Sequence, residues 1–133
     1  MSPTTANTAP IPSGINYKKQ SKLLVLSYGD EDYSLSAELL RVYSPSAEVQ
    51  GHGVGSEVLQ FGKRHVTIVH IQPVGNYAIQ LHFDDGHDSG IYSWGYLYRL
   101  ANEQQQLWDD YLARLAAEGQ SRDENTQVIR LGN

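Results

Sequence analysis

No cysteine occurs among the 133 residues. Disulfides, thiolate zinc sites and cysteine-held iron–sulfur clusters are therefore excluded within this chain. Long apolar runs are missing too: the longest, Leu23-Leu24-Val25-Leu26, is far below the length that spans a bilayer. Positive charge is scarce, with 10 Lys and Arg against 15 Asp and Glu and a net charge of −5. That balance argues against a nucleic-acid partner. The few basic clusters, Lys18-Lys19-Lys22 and Lys63-Arg64, read as solvated surface. Met1 to Ser13 has neither a basic start nor an apolar stretch, so it lacks the pattern of a secretory signal. A soluble cytoplasmic protein is the expectation, with no membrane partner and no cofactor.

The length suits one domain able to bury a core without staples. Residues 1–16 are rich in Ser, Thr, Pro and Ala and are expected to form a disordered leader. Residues 17–118 are expected to be the folded domain, and 119–133 a flexible tail. Lys22–Tyr28 and Tyr33–Leu35 read as a hairpin around Gly29-Asp30-Glu31-Asp32. Ser36 is placed to cap a short helix that ends before Pro45. Ser46–Gly62, with four glycines, reads as a loop. Val66–Gln72 and Tyr77–Phe83 read as a hairpin through Pro73-Val74-Gly75-Asn76. The alternation buries Tyr77, Ile79, Leu81 and Phe83. Gly90–Ser93 is the next strand. Beyond Tyr96, apolar residues recur at spacings near three and four, which predicts one or two amphipathic helices, with a possible joint at Asn102–Gln106. Gly119 suits the residue just past a helix end. The fold class expected is α+β: a mainly antiparallel sheet, a short helix after the first hairpin, and the C-terminal helix or helices on one face.

Most chemical motifs fail. Gly51-His52-Gly53-Val54-Gly55 lacks the third glycine of a dinucleotide fingerprint and the Gly-Lys-Ser/Thr of a P-loop. Asp84–Gly90 lacks the twelfth-position Glu of a calcium loop. No Gly-x-Ser-x-Gly elbow is present. What remains is His87, flanked by Asp84, Asp85 and Asp88 in a glycine-bounded loop, and the aromatic set beginning at Tyr92 and Trp94. A carboxylate beside an imidazole orients it and favours its charged form. Asp-Gly loops also form Asx turns with no further role.

Two segments carry a resemblance. Ser44-Pro45-Ser46-Ala47-Glu48-Val49-Gln50-Gly51-His52-Gly53 and Asp85-Gly86-His87-Asp88-Ser89-Gly90-Ile91-Tyr92-Ser93-Trp94, followed by Tyr96-Leu97, resemble the small bacterial proteins similar to the N-terminal domain of gamma-butyrobetaine hydroxylase. The resemblance covers roughly Tyr17 to Leu100. It implies a stand-alone protein of undefined function, or a domain of the type appended to P-loop iron–sulfur carriers. In the hydroxylases this domain precedes an iron- and 2-oxoglutarate-dependent catalytic domain and holds a structural zinc. The zinc takes three cysteines after a Leu-Arg pair and one histidine before the aromatic strand. Here the pair is Leu40-Arg41; Ser44, Ser46 and Val49 stand in the cysteine places, and His87 matches the histidine. No zinc site of that type is expected, and the oxygenase domain is absent from this sequence.

The resulting expectation is a non-enzymatic binding or accessory module with a protein partner. By resemblance alone it is linked to iron–sulfur or metal-centre maturation. Its candidate surface residues are Arg41, His52, Asp85, His87, Tyr92 and Trp94. The alternative is a metal-binding protein or metal-dependent enzyme using His52, Asp85 and His87.

Overall fold

The structure, a computed structural model, describes residues 9–51 and 57–123. Its strands divide between two antiparallel three-stranded meanders. The first runs β1 (Gly14–Lys18), β2 (Leu23–Tyr28) and β3 (Glu31–Ser36); the second runs β4 (Ile68–Val74), β5 (Ala78–Phe83) and β6 (Ile91–Ser93). Two short helices, α1 (Ala37–Val42) and α2 (Ala47–Gln50), lie between them, and α3 (Trp94–Ala117) closes the order. The class is α+β, as the sequence pattern predicts.

Local chemistry sets the boundaries. Gly29 takes the left-handed conformation (φ 68°) that the β2–β3 turn requires. Ser36 Oγ accepts from Leu39 N at 3.0 Å and caps α1. Ser93 does the same for α3 through Tyr96 N at 3.1 Å. At the other end of α3, Gly119 has φ 66°. Gln120 N donates to Leu115 O at 2.9 Å and Gly119 N to Ala116 O at 3.3 Å, a Schellman closure.

One apolar core joins all layers. Leu24, Leu26 and Leu35 meet Ile79, Leu81, Phe83 and Tyr92 from the second meander, with Leu39 and Leu40 of α1 and Leu97 and Leu100 of α3. The alternation along β5 holds for Ile79, Leu81 and Phe83. Tyr77 departs from it: the turn takes Gly75 to Tyr77, so β5 begins at Ala78 and Tyr77 is exposed.

Other expectations need correction. The ordered chain starts before residue 17: Gly14, Ile15 and Asn16 pair with Ser27, Leu26 and Val25. Asn102–Gln106 is no joint; α3 runs through it, because Glu103 to Gln106 are good helix formers and the segment lies mostly on the wet side. Gln105 and Gln106 also bond Asp109 and Asp110 one turn on. Residues 119–123 do not trail away. Ser121 O and Arg122 O accept from Gly62 N and Arg64 N, both at 2.9 Å. Lys63 and Arg64 are ion-paired to Asp85 and Asp123, not merely solvated.

Candidate functional site

The loop between β5 and β6 folds back on itself through Gly86, whose φ of 89° is open to glycine. Gly86 N donates to Phe83 O at 3.1 Å and Phe83 N to His87 O at 2.9 Å. Asp85 Oδ1 accepts from His87 N at 3.1 Å, the Asx turn that an Asp-Gly loop favours. Asp84 Oδ1 accepts from Thr67 N across the strand end. The loop thereby presents Asp85 and His87 to the segment that follows α1.

Asp85 is fully engaged. Its Oδ2 accepts from Arg41 Nε at 2.8 Å and from Lys63 Nζ at 2.6 Å. Arg41, on α1 and 8% exposed, also donates from Nη1 to Gln60 Oε1 at 3.0 Å. Burial alone would raise the Asp85 carboxyl. The bonds from Lys63, the His87 backbone and Arg41 outweigh it and hold the group at about 2.

His87 faces the other way, into the Ser44–Glu48 segment. Its Nε2 lies 2.8 Å from Ser44 Oγ and 3.3 Å from Ser46 Oγ. Its Nδ1 lies 3.4 Å from Glu48 Oε1, which also accepts from Ser89 Oγ at 2.6 Å. The carboxylate favours the proton on Nδ1, leaving Nε2 to accept from the serine hydroxyls. Burial first, and the Arg41 charge second, lower the tendency of the ring to charge; Glu48 and Asp85 offset this only in part.

Ser44, His87 and Glu48 thus share the connectivity of a hydroxyl–imidazole–carboxylate array. Access decides what it can do. Ser44 is wholly buried, and Gly90 packs so closely that a β-carbon there would lie 2.5 Å from Ser44 Oγ. No carbonyl carbon can reach that oxygen in this arrangement. The serines also supply hydroxyls where zinc of the hydroxylase type takes thiolates, Val49 supplies no donor, and His87 Nε2 is already engaged. The residues present do not fit that metal. Among the described residues, no group of three or more His, Cys, Asp or Glu side chains is arranged to hold a metal ion.

The fold brings Arg41, Asp85 and His87 together. Over them lies an open cleft of about 330 Å³ bordered by Glu48, Gln60, Asp88 and Ser89. Tyr92 belongs to the core instead: it is fully buried, and its hydroxyl donates to Leu40 O. Trp94 stands at the opposite end of β6, where its Nε1 donates to Asn76 O at 2.8 Å. His52 and most of its glycine-rich loop lie outside the described residues. Sequence reasoning missed Gln60 and Lys63, which sit in no recognisable motif, and Glu48, which lies in the Ser44–Gly53 segment with nothing local to single it out. His70 and His82, opposite each other on β4 and β5, stack edge to face at 5.0 Å.

A family model described as gamma-butyrobetaine hydroxylase-like, N-terminal, matches residues 15–98. The chain belongs to that family. Among solved structures, a protein studied by NMR in solution is 55% identical, with a TM-score of 0.78, over 94% of this chain and 99% of its own. A second NMR structure is 47% identical, with a TM-score of 0.76, over 98% and 99%. A crystal structure from Acidithiobacillus ferrooxidans, of a protein of unknown function in the DUF971 family, is 38% identical. It has a TM-score of 0.56 and covers 68% of this chain and 91% of its own. None of the curated proteins matches. The family assignment leaves the molecular activity of this gamma-butyrobetaine hydroxylase-like domain to be argued from its own residues.

Proposed function

We propose that this chain is a non-catalytic, cytoplasmic protein-binding module whose contact surface is the cleft over Arg41, Asp85 and His87, with Gln60 on its rim. The observation that carries the reading is the juxtaposition at Gln60. Gln60 braces Arg41 beside the polar cleft, while Val58 and Phe61 on either side of it in the chain are 51% and 50% exposed. Large apolar side chains beside pre-ordered charged groups are the makings of a protein contact: the first supply area, the second fix register at little ordering cost. The internal satisfaction of Asp85 and His87 favours this over the metal-dependent alternative with His52. The resemblance to domains appended to iron–sulfur carriers directs the search for a partner to metal-centre maturation. Among the described residues no helix is long and apolar enough to cross a membrane.

Affinity capture with the wild-type chain and with Val58→Asp/Phe61→Asp, read by quantitative mass spectrometry, tests the reading. A partner retained by the first and lost by the folded second is expected; identical capture by both overturns it. Elemental analysis supplies the other arm. About one equivalent of metal bound, and lost in both His52→Ala and His87→Ala, would replace the binding module with the metal-site alternative.

A further inference from the structure

Glu38 lies on α1 with its side chain only 6% exposed. A carboxylate so far from water needs a fixed cation beside it. Arg122 supplies one in two-pronged geometry: Nε donates to Oε2 at 2.8 Å and Nη2 to Oε1 at 2.7 Å. The same guanidinium lies over Trp108 of α3, 4.9 Å from the ring centroid. A carboxylate fork with an aromatic face beside it selects a planar guanidinium over a compact ammonium.

The two halves of this arrangement differ in how they are held. Glu38 and Trp108 stand on helices packed into the core. Arg122 stands on the short strap beyond the Schellman closure, whose backbone accepts from Gly62 and Arg64 and whose Asp123 makes an exposed pair with Arg64. Such a pair contributes little. Space also remains: a cavity of about 310 Å³ opens beside the pair, lined by Ser34, Gln104 and Gln105 as well as Glu38, Trp108 and Arg122.

We propose that Glu38 and Trp108 form a guanidinium-binding site that Arg122 fills in cis, and that an arginine side chain of a partner protein takes the same place when the strap lifts. The cavity accommodates the incoming residue's stem, and its amide lining offers hydrogen bonds to the backbone around it. Because Arg122 is tethered, it competes at high effective concentration and keeps the site closed to weak ligands. This site is separate from the Asp85 corner and stands or falls without the function proposed there.

The probe is N-acetyl-arginine amide, with N-acetyl-lysine amide as control, titrated into the full-length chain carrying Arg122→Ala. The readouts are the Trp108 indole N–H resonance and the melting temperature. A saturable shift of that resonance and a rise in melting temperature are expected with the arginine probe. Binding to the wild type should be roughly tenfold weaker or more, since only its open fraction is competent. Glu38→Gln combined with Arg122→Ala should abolish the response. Arg122→Gln, which keeps an amide donor for Glu38, is titrated in parallel, so that poor folding of the alanine variant does not remove the measurement. No saturable shift in whichever variant folds, or an equal response to the lysine probe, overturns the proposal.

Discussion

Single atoms decide the character of the serine–histidine corner. Gly90 is required there by space, since the β-carbon of an alanine would press on Ser44 Oγ at 2.5 Å and on Tyr92 Cε1 at 3.1 Å. Both neighbours are fully buried and cannot swing aside into solvent. Gly90→Ala is therefore expected to destabilise the protein by about 1–3 kcal/mol, the usual range for overpacking. Urea denaturation measures it. Adding Ser44→Ala removes the closest atom and should recover part of the loss, so the two changes couple. Strict additivity would show that Gly90 matters for some other reason. Tyr92 illustrates the same scale. Its hydroxyl satisfies Leu40 O inside the core, and burial drives its ionisation far above the ordinary range. An aromatic residue that suggests a binding surface in sequence is here a structural bolt.

The elements differ in how openly the sequence declares them. Ile79, Leu81 and Phe83 alternate with polar partners, so β5 and its buried face are legible. The serine before α1 announces its helix by capping chemistry, whereas Ser93, read in the sequence as the end of a strand, proves to cap α3. Ser93→Ala should cost about 0.5–2 kcal/mol in thermal or chemical denaturation, the span seen for lost N-caps; no loss at all would mean that Tyr96 N finds another acceptor. By contrast β1 was illegible. Gly14–Lys18 buries only parts of Ile15 and Tyr17 at a sheet edge, and its neighbours in sequence are Pro and Ser. The four residues of α2 are too few to show a period. In the candidate corner, Asp85 and His87 are visible as an unusual loop. Their partners Arg41, Lys63 and Ser44 lie 44, 22 and 43 residues away. Separations of that kind leave no local pattern. The strap is hidden for the same reason, since Arg122 and Glu38 are 84 residues apart.

Across the whole molecule, the corner should make stability depend on pH. Folding lowers the His87 affinity for protons below its ordinary 6.5. The unfolded chain therefore takes up the proton first, and stability present above that value falls as the pH drops through it. Asp85 adds a second loss at more acid pH, from its ordinary 3.8 toward about 2. Denaturant midpoints measured from pH 8 to 4 should decline below neutrality, and His87→Gln should flatten that decline; an unchanged profile in the variant would exonerate the imidazole. The two meanders carry a kinetic consequence. Among the described residues every ladder joins strands consecutive in sequence, so each sheet closes short loops without waiting for a distant segment. The halves then meet at a phenol: Tyr17 Oη lies 2.6 Å from Thr67 Oγ1 and accepts from Ile68 N at 3.1 Å. The expectation is that this joint forms after both sheets and is missing from the rate-limiting state. Tyr17→Phe should quicken unfolding and leave the refolding limb of the chevron in place, whereas a slowed refolding limb would put that handshake at the start of folding.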